Sequence, residues 1–142
     1  VFDWERMLSF DGNTAPYLQY AYARICSIFR KWDGDRESLR ENSESLLEDD
    51  LGILTTEELT LARRLVEFPS IMDDSISTFS PHKLCKHLHS VASSFASFYE
   101  NCSILKEDND VLSKRRLALC DLTARELQLG LGIMGIDVPE RM

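Results

Sequence analysis

Ser80-Pro81-His82-Lys83-Leu84-Cys85-Lys86-His87-Leu88-His89-Ser90-Val91-Ala92-Ser93-Ser94-Phe95-Ala96-Ser97-Phe98-Tyr99-Glu100-Asn101-Cys102 is the stretch whose reading decides the fold. Pro81 stands where a helix tolerates proline, in its first turn. Leu84, Leu88, Val91, Phe95, Phe98 and Cys102 then recur at spacings of 4, 3, 4, 3 and 4, the period of a single apolar stripe on an α-helix. Lys86, Ser90, Ser93, Ser97 and Glu100 run along the opposite side. A helix with one apolar stripe must bury it against other elements, so neighbouring segments should supply matching stripes.

They do. Asp110 precedes the longest apolar-periodic segment, which Gly135 closes as a C-terminal stop. Leu112, Leu119, Leu122, Leu129, Ile133 and Ile136 form its expected buried stripe, with Leu117, Leu127 and Leu131 flanking it. Lys114, Asp121, Arg125 and Gln128 form the expected polar side. Pro16, behind Asn13 and Thr14 as caps, opens a helix to about Trp32. Thr55-Thr56-Glu57-Glu58 is a capping-box signature for a helix through Phe68. Pro69 is expected to interrupt it and leave a shorter segment from Ser70 to Thr78. The chain therefore reads as all-α, a helical bundle of about four to six helices.

Its 142 residues fit one domain with a sizeable core, and 44% of them are hydrophobic. No run approaches the roughly 18–20 apolar residues of a spanning helix, so no membrane partner is expected. Val1 to Phe10 carries Asp3, Glu5 and Arg6, unlike a signal peptide. The net charge of −8 argues at first against a phosphate-bearing partner. Located along the chain, however, the excess is local. Asp33 to Glu58 holds ten acids and two bases, which accounts for all of it. Residues 33–54 read as an acidic, solvated loop opening on Asp33-Gly34-Asp35. A face more than a Debye length away, roughly 8–10 Å, need not feel it.

Cys26, Cys85, Cys102 and Cys120 show no paired spacing and read as reduced thiols within helices. His82, Cys85, His87 and His89 raise the question of a metal, but one helix seldom supplies a closed tetrahedral site. They read as ordinary surface and boundary residues, and no metal is expected. There is no glycine-rich phosphate loop, G-x-S-x-G or H-E-x-x-H. The chain itself offers no catalytic residues.

The helix after Pro16 does not fit a plain bundle. Leu18, Tyr22, Ile25, Phe29 and Trp32 form its apolar side; Tyr17, Tyr20, Arg24, Ser27 and Lys31 form the other. Two tyrosines and an arginine on a polar face suit unpaired bases, on which aromatic rings stack at roughly 1–3 kcal/mol each. The plainer alternative is that both rings pack under another element with their hydroxyls in water.

Phe10-Asp11-Gly12-Asn13-Thr14-Ala15-Pro16-Tyr17-Leu18-Gln19-Tyr20-Ala21-Tyr22-Ala23-Arg24 resembles the segment that leaves the catalytic domain of arginyl-tRNA synthetases. Asp121-Leu122-Thr123-Ala124-Arg125 and Gly132-Ile133-Met134-Gly135-Ile136-Asp137-Val138-Pro139-Glu140-Arg141-Met142 resemble that family's last helix and C-terminus. Tyr22 stands where the family usually has His, and Asp11 where Glu is frequent. The resemblance implies a class I synthetase's helical anticodon-binding domain over residues 1–142, with 1–10 as a lead-in from a catalytic domain that this chain lacks. The parent would be an arginine-tRNA ligase, cytoplasmic, using ATP with magnesium and arginine in that catalytic domain. This chain needs no cofactor of its own and should be inactive alone. Its implied partners are arginine tRNA and its own catalytic domain.

Carried onto this chain, the family's roles place Tyr17, Tyr20, Phe95 and Met142 around the splayed anticodon bases. Arg24 and Tyr99 would support them, and Lys114, Arg115, Arg116 and Arg141 would add backbone contacts. For Phe95 the two lines diverge: periodicity makes it core, the resemblance a base contact. The alternative function is a helical protein–protein module docking other synthetases or a scaffold, with the acidic loop as its natural contact.

Overall fold

The computed structural model describes residue 12 and residues 14–41 and 54–142. The expected lead-in, 1–10, lies outside them. Five helices are described: α1 (Ala15–Lys31), α2 (Arg36–Glu41), α3 (Thr56–Ser77), α4 (Pro81–Asn101) and α5 (Asp110–Ile133). No strand occurs among the described residues, and none of these helices is long and apolar enough to cross a membrane.

The helix starts follow local chemistry. Thr14 caps α1, its hydroxyl accepting from the Tyr17 N–H at 3.3 Å, with Pro16 in the first turn. Thr55 and Glu58 close the expected capping box on α3: Thr55 Oγ1 accepts from the Glu58 N–H at 3.2 Å, and the Thr55 N–H donates to Glu58 Oε2 at 2.8 Å. Asn109 caps α5 through the Leu112 N–H. At the far end of α5, Ile136 N–H bonds Leu131 O and Gly135 N–H bonds Gly132 O, with Gly135 at φ +74°. This is a Schellman stop, and it turns the tail back toward α1.

Three sequence expectations are corrected. First, Pro69 does not end a helix; α3 is continuous for 22 residues with Pro69 inside it. The proline is exposed, and α3 and α4 form the most extensive helix pairing. Packing on α4 therefore holds the turns on both sides of the lost hydrogen bond, and water can serve the freed carbonyl.

Second, part of the expected loop at 33–54 is helical. Arg36 and Arg40 of α2 both bind the Asp121 carboxylate on α5, Arg40 Nε at 2.8 Å, and Leu39 is buried between them. Residues 42–53 of that loop lie outside the described residues. Third, α5 is rotated relative to its expected stripe. Leu117, Cys120, Ala124, Leu127 and Leu131 are buried, while Leu122, Leu129 and Ile133 are about half exposed. Leucines occur almost all round this helix, so their spacing alone could not select a face. Small residues decide it: a Cβ on Gly130 would meet Leu88 Cδ2 at 2.6 Å, so the α5 backbone approaches α4 there.

The α4 stripe needs no correction. All six of Leu84, Leu88, Val91, Phe95, Phe98 and Cys102 are buried, and all but Val91 join Leu18, Tyr22 and Ile25 of α1 in one core cluster.

Candidate nucleic-acid interface

The unusual face of α1 survives in three dimensions. Tyr20 is 45% exposed, and one helical turn later the Arg24 guanidinium carbon lies 5.7 Å from its ring centroid. The same guanidinium lies 4.3 Å from the Tyr99 ring of α4. A cation over two rings is held by their quadrupoles, so α1 and α4 are joined at the surface by a Tyr–Arg–Tyr arrangement. Phe95 stands beside Tyr99, with ring centroids 6.0 Å apart. It is 1% exposed, so it belongs to the core rather than to a ligand surface. Its stripe position, one turn before Tyr99, makes it the floor under that ring.

The C-terminal tail completes the site. Gln19 Nε2 donates to the Asp137 carbonyl at 2.7 Å, and Arg30 Nη1 donates to the Glu140 carbonyl at 2.9 Å. Arg141 and Met142 thereby join Tyr20, Ala23, Arg24 and Arg30 around a concavity of about 280 Å³. Its described lining carries three guanidiniums and no acidic side chain, together with one exposed ring and a thioether. Such a surface offers stacking partners and cations side by side, as an unpaired nucleotide requires.

The other sequence candidates lie elsewhere. Tyr17 packs partly into the core, its ring 5.5 Å from that of His89 and outside the concavity's lining. Arg115 and Arg116 bind the buried Glu58 carboxylate, and Arg116 also reaches Glu107. They hold α5 to the start of α3, and Lys114 pairs with Asp110 on its own helix. Burial pushes the Glu58 carboxyl up, but the Thr55 N–H and the two guanidiniums outweigh this and hold it below its ordinary value. On α4, His87 shares a buried 2.7 Å hydrogen bond with Glu126 of α5. Burial raises the Glu126 carboxyl despite that partner. Cys85 donates to Met134 Sδ at 3.1 Å.

A larger concavity, about 910 Å³, runs between α3 and α5. Its lining is mostly aliphatic and includes the exposed Val66, Leu122, Leu129 and Ile133. Its lining holds one ring, Phe68, and one guanidinium, Arg125, beside the Glu126 carboxyl, in place of the clustered guanidiniums of the smaller concavity.

A family model, the DALR anticodon binding domain, matches residues 18–142. The chain belongs to that family. As a DALR domain it takes in the helices just described from within α1 onward, and the tail. It is 44% identical over its whole length to arginine–tRNA ligases of Salmonella arizonae and Salmonella newport, of which it spans 23%. Solved structures agree. The arginyl-tRNA synthetase of Plasmodium falciparum superposes with a TM-score of 0.82 at 32% identity, covering 99% of this chain and 23% of that one. The Thermus thermophilus arginyl-tRNA synthetase gives 0.79 at 30% identity, with the same coverage. The resemblance carried by the Phe10–Arg24 and C-terminal segments is thereby met, as is the all-α class. The docking-module alternative gains no support from these relatives.

Two residues of this DALR domain escaped the sequence reading, Gln19 and Arg30. Gln19 sits among more conspicuous tyrosines, and Arg30 reads as an ordinary cation in the last turn of a helix. A signal existed, since the two are 11 residues apart and therefore share a helix face. It becomes meaningful only once the tail is known to cross that face.

Proposed function

We propose that this chain recognises the anticodon loop of an arginine tRNA. The observation that carries the reading is the exposed Tyr20 with Arg24 and Tyr99, walled by Arg141 and Met142. Bases splayed from the loop stack on Tyr20 and on the guanidinium plane, and the arginines neutralise nearby phosphates. Base-edge hydrogen bonds come partly from backbone groups beside Met142.

The parent protein is then an arginine-tRNA ligase working in the cytoplasm, and a catalytic body outside this chain binds ATP with magnesium and arginine. Membership of the DALR family and whole-length similarity to arginine–tRNA ligases support this reading. Anticodon binding holds the tRNA in register, so that its acceptor end reaches that body. The test is titration of this chain with an arginine-tRNA anticodon-arm hairpin and with one of exchanged anticodon, across a salt series. We expect at least about tenfold tighter binding of the first at moderate salt, the scale set by one or two stacked and hydrogen-bonded bases. Equal affinities for the two hairpins would overturn the reading.

A further inference from the structure

The last six residues, Asp137 to Met142, belong to no helix. Two things hold them. Ile136 and Val138, on either side of Asp137, both pack partly against the core, as does Met134 at the end of α5. Beyond it, the backbone is held by side chains of α1: Gln19 grips the Asp137 carbonyl and Arg30 grips the Glu140 carbonyl. Both contacts join residues more than 100 positions apart in sequence, at separations of 118 and 110.

The geometry of the two grips is consistent. Eleven residues of α-helix return to within about 20° of the starting direction and advance roughly 16 Å. Three residues of extended chain, from Asp137 to Glu140, span roughly 10 Å, and the reach of the arginine arm covers the difference. The chain then bends at Glu140, and Arg141 and Met142 meet Tyr20 and Arg24 in the wall of the concavity.

We infer that Gln19 and Arg30 form a clasp that positions the C-terminal tail, and that they contribute to RNA binding through Met142 and its backbone. This rests on the anticodon reading above. Gln19 is outside the concavity's lining, and its Nε2 is engaged on the Asp137 carbonyl, so its contribution runs through the tail. Arg30 does line the concavity, so its contribution through the tail has to be separated from any direct one.

The experiment uses the whole chain, Gln19→Ala/Arg30→Ala, a chain ending at Glu140, and the combination of the two. Order parameters of the tail amides are read first, by NMR relaxation without RNA. The clasp predicts a fall from about 0.85, a rigid backbone, to below about 0.6 in the double variant, with the thermal midpoint lowered by no more than a few degrees. Unchanged order parameters overturn the clasp.

Affinity for the arginine anticodon-arm hairpin is read second. The double variant should bind about tenfold more weakly. In the shortened chain the same two substitutions should have no further effect, because the residues they position are gone. An undiminished effect in the shortened chain means that the side chains meet RNA themselves, and the positioning role falls. If the unaltered chain does not discriminate between hairpins, the anticodon reading and the clasp's part in it fail together. The relaxation measurement still decides whether the tail is clasped.

Discussion

Tyr20 and Phe95 carry the same family expectation and receive opposite treatment from the fold. Tyr20 is 45% exposed and Phe95 is 1% exposed, so their alanine variants should separate cleanly. Tyr20→Ala should leave the thermal midpoint nearly unchanged and weaken hairpin binding by about tenfold, within the range of one stacked base. Phe95→Ala should cost about 3–5 kcal/mol of stability, as expected for a large ring deleted from a packed core. Denaturant titration alongside hairpin titration checks both, and a large stability loss at Tyr20 would place its ring in the core. The Phe95 assignment was legible in the sequence, because the 4-3-4-3-4 stripe already included it. Tyr17 was not separable from Tyr20 on spacing, since both lie on one side of α1. Only the position of His89 on α4 shows which of the two rings is covered.

At the level of the helices, α5 shows where sequence periodicity stops being informative. Leucine spacing favours Leu122, Leu129 and Ile133 as buried, yet these are the exposed residues. What selects the face is close approach: Gly130 stands against Leu88, a fully buried residue. Gly130→Ala is therefore a sharp probe. Alanine's better helix propensity favours the variant by up to about 1 kcal/mol. Its methyl group would meet Leu88 at 2.6 and 2.7 Å, and overpacking a core costs about 1–3 kcal/mol. We expect a net loss of about 1–2 kcal/mol, read from the denaturation midpoint; a more stable variant would mean that α4 and α5 separate easily. Pro69 makes the same point from the other side. Local propensity forecasts a break in α3, and packing on α4 overrides it, since helix stability in proteins is mostly tertiary.

Across the whole molecule, two buried carboxylates tie distant parts of the chain together. Glu58 joins the start of α3 to α5 through Arg115 and Arg116, and Asp121 joins α5 to α2 through Arg36 and Arg40. Burial alone would raise the Asp121 carboxyl, but hydrogen bonds from Arg40 and Arg36 prevail and hold it below its ordinary value of 3.8. Glu58 is likewise held below 4.5. Carboxyls depressed in the folded state contribute stability that is present above their unfolded values and lost as pH falls through the folded ones. Unfolding free energy should therefore drop with pH below about 4.5, most steeply where both groups take up protons. Asp121→Asn should flatten this slope. It should also cost about 2–3 kcal/mol at neutral pH, somewhat less than a fully enclosed pair because both arginines are partly exposed. Denaturant titrations at stepped pH on the two proteins check the difference; identical slopes would remove Asp121 from the acid transition.

The sequence by itself determined the helical class, the capped starts of α1 and α3, the glycine stop of α5, the buried stripe of α4 and the odd aromatic face of α1. Each of these depends on residues within about one or two helical turns, where periodicity and capping act. Only the tertiary structure decided which side of α5 is inside, that α3 runs through Pro69, and that α2 is an anchored helix. It also decided that the tail lies across α1 on Gln19 and Arg30. All of these depend on what a segment packs against after the chain has closed over separations of tens to more than a hundred residues. Local spacing carries no record of that partner: periodicity marked the aromatic half of the site, the family resemblance alone pointed to Arg141 and Met142, and their seat across α1 came only from the tertiary structure.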